Sequence, residues 1–125
     1  DRLAKPHLML GVSVIAAPTD EEARLLFSSQ QQAFVAIRTG RRGKLPPPLA
    51  GYEENLDPQA KSMLRHTLSC AIVGSPDTVR AGLKAFVERT GADELMVTAQ
   101  IFDHAARKRS YEILAGVKDE IAAAA

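Results

Sequence analysis

The stretch HLMLGVSVIA, residues 7–16, is a nearly unbroken apolar run, and no other feature constrains the fold as strongly. An alternating run suits a strand with one wet face. An unbroken run suits a strand covered on both faces, as in a parallel sheet wrapped by helices. Gly11 weakens that strand and is a place for close backbone approach. The segment behind it, PTDEEARLLFSSQQQAFVAIRTG, reads as a long amphipathic helix. Thr19 and Glu22 have capping-box spacing, in which each side chain satisfies a free amide of the first turn. Asp20 and Glu21 suit the positive end of the helix dipole. Ala23, Leu26, Phe27, Phe34 and Ile37 fall on one helical stripe, and Gly40 is a natural stop.

The same strand-then-helix pattern recurs twice. SCAIVGSPDTVRAGLKAFVERTG holds a short apolar strand ending at Gly74, then Ser75-Pro76 as a helix start. Val79, Leu83, Phe86 and Val87 form its buried stripe opposite Arg80, Lys84 and Glu88, and Gly91 is the left-handed stop. ELMVTAQ then reads as a third strand and DHAARKRSYEILAGVKDEI as a third main helix, with Ile113, Leu114, Val117 and Ile121 on its apolar face. Between the first two units lies RRGKLPPPLAGYEENLD, whose three consecutive prolines fit neither helix interior nor central strand. It reads as a stiff surface loop or lid in polyproline geometry, in preference to a docking motif for SH3-type domains. Asp57 and Pro58 then start a short helix. Alternating strands and helices predict an α/β chain of parallel βα units with right-handed crossovers. Three such strands leave two unpaired edges, so the pattern looks like part of a larger α/β structure.

Composition narrows the function classes. A chain of 125 residues has the size of one domain. Its 16 Lys and Arg against 15 Asp and Glu leave no electrostatic footprint for nucleic acid or an anionic membrane. One cysteine, Cys70, excludes an internal disulfide and any multi-cysteine metal site, and its apolar neighbours predict a buried, inert thiol. No apolar run is long enough to span a membrane and no signal peptide opens the sequence, so a cytoplasmic setting is expected. The chain begins at Asp1 without an initiator Met and ends in IAAAA, so its start reads as cut.

VGSPDTV, followed by TGADELMVTAQIFDHAARKRSYEILA, resembles the carboxy-terminal end of luciferase-like flavin-dependent monooxygenases. GVSVIAAPTDEEARLL and RTGRRGKLPPPL are similar to the segment that precedes that end in one subgroup of the family. The resemblance covers nearly all of the chain, and the combination of motifs carries it. It implies that residues 1–125 are about the last third of such an enzyme, roughly the final three strands of a (β/α)8 TIM-type barrel. It further implies chemistry with reduced FMN and dioxygen that oxidises a small organic substrate, often with a separate flavin reductase. The flavin supplies the difficult chemistry, while the barrel positions it and excludes water. Because earlier strands carry much of that pocket, this chain alone is expected to be inactive and to bind no flavin.

Barrel enzymes place their sites at the carboxyl ends of the strands. Here that selects residues 17–20, Gly74 with Ser75, and residues 100–104. Gly74, Ser75 and Gln100 are candidates for cofactor binding, with Gly74 and Ser75 just before a helix amino terminus where phosphates often sit. A plain Ser cap is the competing reading, and Asp77 in that first turn repels an anion. Asp103 and His104 are the catalytic candidates. Asp103 either caps the last helix or joins the chemistry; His104 either packs or donates a proton from a strand mouth. His7 and His66 form no metal-spaced set with it. Arg107 and Arg109 read as a solvated helix face. Arg41, Arg42 and Lys44 would meet a phosphate if the proline loop folded over the mouth, though a solvated loop is preferred. Ser29, Ser69 and Ser110 have no partner at a nucleophile spacing, and no Gly-rich nucleotide fingerprint is present.

Two alternatives remain at this point. One is an oxidoreductase that uses the deazaflavin coenzyme F420 for hydride transfer without oxygen. The other is a non-catalytic assembly module whose activity is to pair its sheet. The open edges also predict a homo-oligomer, most simply a dimer, with Met9, Val12, Val14, Leu95 and Val97 in or near the apolar interface or core.

Overall fold

The computed structural model describes residues 4–124. The elements run β1 (Met9–Ala16), α1 (Asp20–Arg38), α2 (Pro58–Thr67), β2 (Ile72–Gly74), α3 (Pro76–Thr90), β3 (Glu94–Thr98) and α4 (His104–Ala124). This is the expected order of βα units, and both strand pairings are parallel. The helix starts follow the local chemistry. Thr19 Oγ1 accepts from the Glu22 amide at 3.2 Å, and Asp57 Oδ1 accepts from the Ala60 amide at 2.8 Å with Pro58 at the first turn. Gly91 ends α3 at φ 69°, a left-handed conformation that a Cβ disfavours.

The strand order is β2-β1-β3. The chain steps from β1 to one side and then crosses back over β1 to the other. Right-handed crossovers in opposite directions put their helices on opposite faces of the sheet. Residue parity on β1 shows this directly. Val12, Val14 and Ala16 share a core with Ile72, with Val79, Leu83 and Phe86 of α3, and with Val117 of α4. Ile15 and Ala17 face the other way and pack with Ala23 and Leu26 of α1 and with Ala99, Ile101 and Ala106. The described sheet is therefore an open, doubly wound unit.

Three expectations need correction here. The second face is not covered throughout: α1 lies over β2 and the carboxyl end of β1, so Met9 and Met96 are left exposed. Ile37 is 51% exposed, because the last turns of α1 run past the sheet and have no strand beneath them. Cys70 is exposed rather than buried, since β2 begins only at Ile72 and the thiol sits in the turn after α2. The predicted apolar set divides accordingly. Val12 and Val14 are core, Leu95 and Val97 pack against it, and Met9 does not.

The proline loop is strapped along α1. Ser28 Oγ accepts from the Leu49 amide at 2.9 Å, Gln32 Nε2 donates to the Pro47 carbonyl at 2.9 Å, and Gln31 Nε2 donates to Glu53 at 3.2 Å. The polar run SSQQQ thus serves as an anchor in the middle of an otherwise amphipathic helix.

Candidate functional site

At the carboxyl ends of the strands, three helix starts meet and hold one another. Asp20, the first residue of α1, reaches across to the start of α3. Its Oδ1 accepts from the Ser75 amide at 2.7 Å and from Thr78 Oγ1 at 2.8 Å. The Ser75 amide, with help from Thr78, holds the Asp20 carboxyl below its ordinary value of 3.8. Ser75 makes no side-chain cap of its own, so α3 is capped in trans by Asp20. Gly74 makes the approach possible, since a Cβ there would lie 2.5 Å from Thr78 Cβ and 2.7 Å from Asp20 Oδ1. The anion position that Gly74 and Ser75 suggested from sequence is filled by the protein's own carboxylate.

The other side of the mouth is closed by Arg109. Its Nη2 donates to Glu22 Oε1 at 2.6 Å and ties α4 to α1. The arginine is half-buried rather than part of a solvated face, because α4 leans over the end of β1. Glu22 is thereby drawn away from the reciprocal half of the capping box. Ser110, which has no nucleophile partner in sequence, is 2% exposed and its Oγ accepts the Ala16 amide at 3.0 Å. That contact serves an amide at the end of β1, where strand pairing stops. Neither Arg109–Glu22 nor Asp20–Ser75 is legible from spacing, since each joins elements far apart in the chain.

Asp103 caps α4, its Oδ2 accepting from the Ala106 amide at 2.9 Å. His104 is exposed, and its Nδ1 is 3.0 Å from Arg107 Nη2. A guanidinium only donates, so Nδ1 is the acceptor and Nε2 carries the ring proton toward solvent. Gln100 is exposed just after β3. The structure thus brings Gly74 and Ser75 together with Asp20, and places Asp103 and His104 on α4. No group of three or more His, Cys, Asp or Glu able to hold a metal occurs among the described residues. Among them, no helix is long and apolar enough to cross a membrane.

Gly74, Ser75, Gln100, Asp103 and His104 do not line the three main grooves of the described surface. At this mouth the start of α3 is occupied by the Asp20 carboxylate, and Arg109–Glu22 bridges α4 and α1 beside it.

A parallel α/β unit with its polar constellation at the strand carboxyl ends belongs to the broad class of βα-built folds. No family model matches the chain. Comparison with known proteins is specific nonetheless. The chain is 42% identical over 120 residues to a luciferase-like monooxygenase of Escherichia coli (strain K12), covering 96% of this chain and 36% of that protein. It is 43% identical over 117 residues to the uncharacterized protein YvbT of Bacillus subtilis (strain 168), covering 94% of this chain and 35% of that one. The crystal structure of apo-MsnO8 superposes with a TM-score of 0.70 at 29% identity, over 91% of this chain and 35% of that chain. The resemblance to the luciferase-like monooxygenases holds along almost the whole sequence. The chain spans about a third of the length of the curated relatives it matches.

Proposed function

We propose that this chain is one part of a flavin-dependent luciferase-like monooxygenase, acting in an assembly that also contains the remaining two-thirds of the relatives' length. The observation that supports it is the 42% identity over 96% of the chain to a protein of that name. In this reading residues 1–125 are the carboxy-terminal part of a (β/α)8 barrel. The complete enzyme binds reduced FMN and dioxygen, oxidises a small organic substrate, and draws its reduced flavin from a separate reductase. A flavin supplies redox chemistry when bound; the residues here supply a rim. Gln100 and His104 Nε2 are exposed donors on that rim, and Asp103 fixes the start of the helix that carries His104. A phosphate at Gly74–Ser75 has to displace the Asp20 carboxylate from the Ser75 amide.

In a closed barrel each strand lies beside the next in sequence. Here β3 lies against β1, with Met9 opposite Glu94 and Val12 opposite Val97. Joining the barrel therefore requires β3 to leave β1 for the free edge of β2. Cross-linking tests this in a Cys70→Ser background. Met9→Cys with Glu94→Cys should form a disulfide readily in the chain alone and not in the complete enzyme. Cross-linking of equal efficiency in both would overturn the barrel placement.

Flavin fluorescence titration tests the function. The chain alone should bind FMN weakly or not at all, and the complete enzyme should bind it stoichiometrically. A tight one-to-one FMN complex with the chain alone would sink the partial-enzyme reading. Oxygen consumption by the complete enzyme separates it from F420-dependent hydride transfer. In that enzyme, His104→Ala should lower kcat less than about tenfold, below the range expected for loss of a proton-transfer group. We also expect the isolated chain to pair as a homodimer through its open sheet face or edges, which sedimentation equilibrium checks.

A further inference from the structure

Arg41, Arg42 and Lys44 sit at the far end of the molecule from the mouth. The nineteen residues of α1 span about 28 Å from Asp20, and the Arg41 amide is tied to the Ala36 carbonyl at 2.7 Å near the other end. Between the C-terminal half of α1 and the strapped proline loop lies a groove of about 520 Å³, within the range of small-molecule sites. Ile37 and Pro46 give it an apolar lining, Tyr52 adds an aromatic ring, and the three cations complete it.

Three observations point to an anionic ligand with a flat apolar body. First, no ion pair engages Arg41, Arg42 or Lys44 among the described residues, while Glu53 of the same loop is taken by Arg65 and Gln31. Three like charges within four residues repel one another, and an anion relieves that cost. Second, Ile37 is exposed beside them, where the helical stripe predicts burial. Third, the prolines and the Ser28 and Gln32 hydrogen bonds fix the loop before any ligand arrives, so little ordering is left to lose on binding. Two arginines offer planar forks that match phosphate oxygens in pairs. A tyrosine ring stacks on a planar base, and burial pushes the Tyr52 phenol up, which keeps it neutral.

We propose that this groove binds a mononucleotide, with its phosphate among Arg41, Arg42 and Lys44 and its base against Tyr52 and Ile37. The site is independent of the flavin reading, which concerns the opposite end of α1. Calorimetric titration of the whole chain with adenosine monophosphate, adenosine and inorganic phosphate tests it. Adenosine monophosphate should bind saturably at one site, and both adenosine and inorganic phosphate should bind at least about tenfold more weakly. Amide resonances of Ile37 and Tyr52 should shift on titration. The double variant Arg41→Gln, Arg42→Gln should weaken binding at least about tenfold with unchanged helical circular dichroism, since both side chains are exposed. Should that variant lose helix, Lys44→Gln alone must still weaken binding. Absence of saturable binding, or equal affinity for adenosine, or variants that bind like the parent, would each overturn the proposal. Inorganic phosphate binding as tightly as the nucleotide would also overturn it, by removing any part for the base.

Discussion

The two faces of the sheet are built from the same strands and end up unlike each other. On one, Val14 is 1% exposed under α3 and α4; on the other, Met96 is 58% exposed with no helix above it. Val12 pairs with Val97 on the first face, and Gly11 pairs with Met96 on the second. The difference comes from helix number. Two helices, α3 and α4, pack on the first face and against each other, while the second has α1 over the β2 side and only the first turn of α4, through Ala106, beside it. Apolar residues on a strand show that a face can be buried, not that something in the same chain buries it.

The largest expected effect lies on the covered face. Leu83 is 2% exposed in the middle of α3, and Leu83→Ala should cost about 2–5 kcal/mol in urea unfolding. A domain with a typical stability of about 5–15 kcal/mol would lose a large share of it. A loss under about 1 kcal/mol would show that α3 is not firmly seated and that the two faces differ less than described.

The next effect lies where the faces join, at the mouth. Gly74→Ala drives a methyl toward Thr78 and the Asp20 carboxylate, and should destabilise by about 1–3 kcal/mol through overpacking. Faster exchange of the Ser75 amide should accompany it, since that amide then loses its acceptor. Asp20 also gives the contact a pH signature. Its carboxyl is held below 3.8 in the folded state, so its contribution is complete above that value and is lost as pH falls through the folded value. Asp20→Asn should therefore flatten the acid limb of stability below about pH 4. An acid limb identical to the parent's would show that the carboxylate does not hold α3.

Asp103→Ala comes third, at about 1 kcal/mol, the usual cost of losing a cap. Thermal unfolding measures it, and an unchanged midpoint would mean that the Ala106 amide finds water instead.

Much of this was legible in sequence where the chemistry is local. Thr19, Asp57 and Asp103 each precede the amide they cap by three residues, and Gly91 stands where a left-handed stop is needed. The helical stripes of α3 and α4 followed from spacing in the same way. What was not legible depends on which elements meet. The order β2-β1-β3 is set by the direction of two crossovers, and the run HLMLGVSVIA is compatible with either direction. Ser75 looked like its own cap until Asp20, 55 positions earlier, took its amide. Arg109 looked solvated until Glu22, 87 positions away, met it. Cys70 looked buried because its neighbours are apolar, yet β2 starts two residues later than the apolar run.

The smallest expected effect tests the open face itself. Met96 is on the side of β3 that no helix covers, so Met96→Ser removes little buried area and should change the stability of a monomer by less than about 0.5 kcal/mol. If two copies pair through that face, the outcome depends on concentration, because a partner that binds only the folded state adds stability by mass action. Met96→Glu then places a charge in the contact and should shift sedimentation toward monomer, and the melting midpoint should lose its dependence on concentration. The same substitution in a monomer leaves both measurements where they were. A Met96→Glu variant that sediments as a dimer and melts like the parent would mean that pairing uses the strand edges, and that the open face has another occupant.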